Sequence, residues 1–183
     1  MPYRSSRRLG GDEAVFSISN FGISNRVVFR NHLDHRRFVT TLAKLARQTT
    51  GLSIIAYVLT ATSFNLVVHE HERDNLSKFM HKLSVSYAMY FQNKYQSTGK
   101  IFQGPFKDTV LDSDDEIMLE ICRLHLLPDG FGFDPERYDW SSYGKYLNNR
   151  APWLKKDFVI HYLKTNNIAY DLRYFTQFST KST

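Results

Sequence analysis

The chain has 183 residues, is 42% hydrophobic and 23% charged, and carries a net charge of +6 with a pI near 9.4. That size and apolar share fit one compact domain with a small appendage. Cys122 is the only cysteine, which excludes an intramolecular disulfide and a thiolate metal cluster and fits a reducing, cytoplasmic setting; no apolar run approaches the ~18 residues of a membrane helix.

The charge is uneven. Residues 1–50 hold nine Lys/Arg against three acids, whereas Asp112 to Glu120 holds five acids and no base. A basic surface speeds encounter with phosphates and adds salt-dependent affinity. Residues 1–13 read as a basic arm with no hydrophobic segment behind it, unlike a secretory signal.

From Ala14 to Phe21 apolar and polar residues alternate, which predicts a strand with one mixed face, ended by Gly22. Val27-Val28-Phe29 is a short apolar stop. Asp34 is a candidate cap for a helix to about Arg47, with Phe38, Leu42 and Leu45 facing the core. Ile54 to Leu59 is a continuous apolar run of strand length. Phe64, Leu66 and Val68 then alternate with Ser63, Asn65, Val67 and His69, so two tightly joined strands are expected. Leu76, Phe79, Met80, Leu83, Tyr87, Tyr90 and Phe91 recur at helical spacing and predict a long helix from Asn75 or Ser77 to about Tyr95. Phe106 to Leu111 reads as a further strand. Ser113 followed by Glu116 is a capping box for a helix that stops near Pro128. A short helix over 142–147 and another within 153–163 complete the list, before a Ser/Thr-rich tail.

The order strand, helix, strand, strand, helix, strand, helix predicts an α+β fold: a ferredoxin-like split βαβ antiparallel sheet with helices packed on one face. The expected organisation is an arm over 1–13, a domain over 14–147, and a helical accessory segment and tail over 148–183.

Several residue groups offer chemistry. His69 and His71, two apart near a strand end, would share a face close enough to chelate, with Glu72 or His81 as a third ligand, although such a pair is commonly just solvated. Cys122 lies on an apolar helix face, where a buried inert thiol is the plain expectation. Tyr87, Tyr90 and Tyr95 have no evident ligand set beside them and are expected to pack. The turn from Gly99 to Gly104 either apposes backbone to phosphate or is an ordinary loop. Bases interleave with aromatics at Tyr90, Phe91, Lys94 and Tyr95, and again at Lys100, Phe102, Phe106 and Lys107, a pattern suited to unstacked bases on a basic surface. Tyr138, Trp140, Tyr143 and Tyr146 are expected to form a lid on the core.

These pieces, in this order, resemble the IS200-like transposase superfamily, which includes the REP-associated tyrosine transposases. The resemblance runs from about Val15 to Tyr146. It is carried by Asn20 to Phe29, by Ala56-Tyr57-Val58-Leu59 leading into Ser63-Phe64-Asn65, and by the long helix with Leu76 to Met80 and Tyr87 to Tyr95. Thr98 to Lys107 is similar to a "GxLFQGRFK" segment, His125-Leu126-Leu127-Pro128 to "HLNP", and Tyr138 to Tyr143 to "YxWSSY". The resemblance implies single-strand DNA cleavage and rejoining through a tyrosine nucleophile. Two histidines and a third ligand would hold Mg or Mn to polarise the scissile phosphate.

This sequence departs from that pattern where the chemistry sits. Ser63 and Asn65 stand at the histidine pair, Arg123 at the nucleophilic tyrosine and Leu127 at the third ligand, while Pro105 and Phe21 replace two expected phosphate-binding arginines. The resemblance therefore implies a member without catalytic residues, metal ligands or cofactor at that position. Its expected partner is single-stranded or hairpin DNA, with RNA as an alternative, and its state is monomer or homodimer. The residues expected at the nucleic acid are Arg26, Arg36, Arg37, Lys94 and Lys100, together with Phe102, Gln103, Lys107, Arg123 and His125. Two other readings are open: an active enzyme with a migrated site at His69 and His71, served by Tyr57, Tyr87 or Tyr90, and a recruited protein-interaction scaffold.

Overall fold

The computed structural model describes residues 13–147 and 151–166; the expected arm up to residue 12 and the tail from residue 167 lie outside the described residues. Four strands, β1 (Ala14–Phe21), β2 (Leu52–Leu59), β3 (Ser63–Glu70) and β4 (Lys107–Leu111), form one sheet in the order β2-β3-β1-β4 with every neighbour antiparallel. Helices α1 (His32–Gln48) and α2 (Asn75–Tyr95) make the two crossovers of the split βαβ pattern. They are followed by α3 (Asp114–Leu126), α4 (Tyr143–Leu147) and α5 (Asp157–Thr165). Among the described residues no helix is long and apolar enough to cross a membrane.

The ferredoxin-like antiparallel arrangement is as the sequence implies, but the expectation of helices on one face is corrected: α1 and α2 cover one face, α3 and α5 the other. Phe16, Ile18, Phe64, Leu66 and Val68 pack with Phe38, Leu42, Phe79, Leu83, Tyr87 and Phe91 under α1 and α2. Ile55, Ala56, Val58 and Val67 pack on the other side against Ile117, Ile121, Cys122 and Leu124 of α3 and Val159 of α5. The continuous apolar run of β2 reflects this double coverage, because a strand buried on both faces has no polar side to show. A register shift between Ile54 and Ala56 also turns Ile55 and Ala56 to the same face.

Helix ends follow local chemistry. The α1 cap is Asn31 rather than Asp34: the Asn31 side chain accepts from the Leu33 and Asp34 N–H groups, and Asp34 closes the capping box from the third helical position. At α3, Ser113 accepts from the Glu116 N–H, while Glu116 reaches the Asp112 N–H. Gly22 is obligatory at the exit of β1, since a Cβ there would lie 2.1 Å from the Arg26 carbonyl oxygen.

The outer edge of β2 is covered rather than open. The Leu59 N–H donates to Trp140 O, the Ser142 N–H to Tyr57 O, and the Lys155 N–H to Ile54 O. Tyr138 and Tyr146 donate their hydroxyls to the Leu59 and Ile55 carbonyls at 2.7 Å. The aromatic cluster expected as a lid thus satisfies backbone acceptors that an unpaired edge would leave to another chain.

Candidate nucleic-acid interface

Strand alternation defines one polar patch beneath α3. Phe16 and Ile18 point to the α1/α2 side, so Ser17, Ser19 and Phe21 point to the α3 side, as do Ser63 and Asn65 of β3. Register then sets Asn65, Ser19 and Lys107 side by side across three strands. Ser63 is buried and exchanges a 2.8 Å hydrogen bond with the Thr60 hydroxyl; Asn65 is also buried.

Arg123 of α3 closes a bidentate pair with Glu120: Nε and Nη2 donate to the two carboxylate oxygens at 2.6 and 2.7 Å. Ser17 donates to the same carboxylate at 2.6 Å. Glu120 is thereby tied to both α3 and β1, and its hydrogen bonds hold the Arg123 guanidinium firmly charged. Half of the Arg123 side chain remains exposed. Leu127 packs on the α3-side core. A salt bridge to Glu120 was the structural alternative that the sequence offered for Arg123, and that pair is present; Ser17 and Ser19 were not singled out, and the period-two alternation with Phe16 and Ile18 was the available signal.

A second basic group lies at the end of α1 and α2. The Arg30 guanidinium stacks 4.2 Å from the Tyr95 ring, Arg26 and Arg30 each lie 5.1 Å from Phe91, and Arg37 lies 5.5 Å from Tyr90. Stacking fixes the guanidinium planes and leaves their edges free to meet phosphate. Ser24 and Asn25, both left-handed, bend the chain that delivers Arg26. Beneath these cations is the fully buried carboxylate of Asp34. Burial raises its pKa, but hydrogen bonds from Lys94, Tyr95, Tyr90 and the Arg30 N–H outweigh that and hold it below the usual carboxylate value. Lys94, 2.6 Å from Asp34, is the counter-charge of this buried group.

The expected site residues therefore divide. Lys107 and Arg123 border the polar patch under α3, and Arg26 and Arg37 belong to the stacked group with Arg30, which sequence reasoning missed. Arg36, Lys100 and Gln103 are exposed. Two assignments need correction. Phe102 is a core residue, edge-on to Phe64 at 5.3 Å, because the Gly99–Gly104 loop docks on the end of β1 through Ile23 N–H to Ile101 O and Gln103 N–H to Phe21 O. His125 is fully buried, with Nε2 2.6 Å from the Ser142 Oγ; burial pushes its pKa down to about 3, so it is a neutral packing element.

The tyrosines are committed elsewhere. Tyr87 donates to Val28 O at 2.6 Å, Tyr90 and Tyr95 donate to Asp34, and Tyr57 lies buried against Trp153. Burial raises the pKa values of Tyr57 and Tyr87. Cys122 is buried, and its thiol is pushed up to about 12.

No family model matches this sequence, and no curated protein matches it. Among solved structures, a REP-associated tyrosine transposase bound to a REP hairpin superposes with a TM-score of 0.62 at 14% identity, over 79% of this chain and 84% of that one. The fold is that of a REP-associated tyrosine transposase. Two weaker likenesses carry no argument. One is a transposase-like protein of Deinococcus radiodurans R1 (TM-score 0.45, 10% identity, 66% of this chain and 93% of that one). The other is a bacterial tRNA(His) guanylyltransferase-like protein in complex with GTP (TM-score 0.45, 12% identity, 73% of each chain). Ser63, Asn65 and Arg123, which the sequence resemblance assigns to metal and nucleophile, lie on the α3 side of the sheet, whereas Leu127 packs on the core there.

Proposed function

We propose that this protein binds structured or single-stranded nucleic acid, a hairpin foremost, and that it does not cut it. The observation that carries this reading is the Arg123–Glu120–Ser17 network. By the sequence resemblance Arg123 stands where a tyrosine nucleophile would work, and Ser63 and Asn65, on the same sheet face, stand in place of two imidazoles. With both imidazoles gone, one neutral hydroxyl and one carboxamide would hold a divalent ion more weakly than the histidine pair they replace, and a guanidinium cannot form a phosphotyrosyl ester. Arg123, Lys107 and the stacked arginines can still grip phosphate. The transposase of like fold was solved on a REP hairpin, which makes a DNA hairpin the first ligand to try.

The test is a binding titration on a labelled hairpin at several salt concentrations. Each phosphate contact contributes about −0.9 to the slope of log K against log salt. The proposal expects a slope of roughly −3 or steeper; affinity flat across salt would contradict it. The burial of Tyr87 and Phe91 inside the monomer counts against the scaffold reading, which needs those rings on an exposed apolar patch.

A further inference from the structure

At the opposite end of β3, three side chains meet that nucleic-acid binding does not use. Glu13 directly precedes β1, His69 lies in β3 and His71 follows its last residue. The register pairs Ala14 with Glu70 and Val15 with His69, which brings Glu13 level with His71. A ligand atom from each of Glu13, His69 and His71 lies within 4.8 Å of the others. The two imidazole rings are 3.9 Å apart at their centroids, and His69 Nε2 is 3.4 Å from the Glu13 carboxylate.

The surroundings support ligation. Ser53 of β2 holds His71 through a 2.9 Å hydrogen bond to Nε2, which orients the imidazole; a cation bound at Nδ1 would leave that bond intact. Glu70, between the two histidines, turns to the other face and accepts the Leu76 N–H at 2.8 Å. Glu72, expected from sequence as a third ligand, instead accepts from the Asn75 amide. His69 lies six positions along β3 from Ser63 and four from Asn65, roughly 20 and 13 Å at the rise of an extended chain, so this cluster is distinct from the position assigned to the transposase metal.

We propose that Glu13, His69 and His71 form a site for one divalent ion of the zinc class, with water completing a tetrahedral set. Two imidazoles and one carboxylate match zinc, nickel or copper better than magnesium or calcium, which prefer all-oxygen shells. The ion would clip the entry of β1 to the end of β3 and stabilise the fold.

The experiment uses the untagged full chain, stripped with chelator and dialysed. Zinc chloride titration is expected to give about one ion per chain and to raise the melting temperature, while magnesium chloride does neither. The His69→Gln/His71→Gln double variant is expected to lose both effects, and Ser53→Ala to weaken zinc binding about tenfold. Substoichiometric binding, or an unchanged zinc response in the double variant, would overturn the site. Should the double variant not fold, cobalt(II) on the unaltered chain decides: intense tetrahedral ligand-field bands support the proposal, and a weak octahedral spectrum sinks it.

Discussion

Glu120 and Asp34 play one part at two places: each is a carboxylate that fixes a cation while drawing on its charge. Removing the first should release its cation to a ligand. Glu120→Gln is expected to steepen the salt slope of hairpin binding by about 0.9, one additional phosphate contact, and Arg123→Ala to weaken binding roughly fivefold. Equal affinities for both variants and the parent, measured by anisotropy, would place the binding surface elsewhere. Asp34 is a matter of stability. Asp34→Ala strips the α1 capping box and orphans Lys94, Tyr90 and Tyr95, at a cost of about 3 kcal/mol in urea unfolding. Because the Asp34 pKa is lowered on folding, its contribution is complete above the unfolded value of 3.8 and is lost as pH falls through and below it. Sequence alone could not assign Asp34: a first-turn acid followed by an apolar stripe reads as a cap, and the partners that make it a buried ion lie some sixty residues away.

At the scale of elements, the strands and the three longest helices were legible because apolar spacing agrees with tertiary burial in each, whereas of the helix caps only Ser113 of α3 stands where the sequence put it. The placement of α3 was not. Ile117, Ile121 and Leu124 show an apolar stripe but not which sheet face receives it, and only the two-sided burial of β2 signals that both faces are taken. The His125 and Trp140–Tyr143 segments resemble family motifs, and the structure gives them a shared structural role: Ser142 accepts the Tyr57 N–H at 2.9 Å while holding His125. Ser142→Ala is therefore expected to cost roughly 2 kcal/mol by leaving buried groups unpaired, with hairpin affinity unchanged. His125 adds a pH signature. Its pKa falls from 6.5 to about 3 on folding, so the unfolded chain binds the extra proton between those values. Stability should decline as pH drops from 6.5 towards 3, and His125→Gln, if it folds, should flatten that decline in urea titrations at graded pH.

For the whole molecule, the order of motifs pointed to a transposase-like fold, and the superposition on a hairpin-bound transposase bears out that fold at an identity of only 14%. The surface was less legible. Of ten residues read as nucleic-acid contacts, Phe102 and His125 proved to be core, and Lys94 is bound to Asp34, because aromatic and basic spacing does not distinguish packing from exposure. Arg123 and Asn65 stand, by the resemblance, where strand-transfer chemistry would sit, and the proposed function leaves only binding there. The most direct test is to incubate the full chain with end-labelled hairpin and magnesium or manganese, then resolve the mixture on native and denaturing gels. A salt-sensitive native complex with no covalent adduct and no shortened strand is the expected result; a labelled protein–DNA adduct surviving denaturation would contradict it.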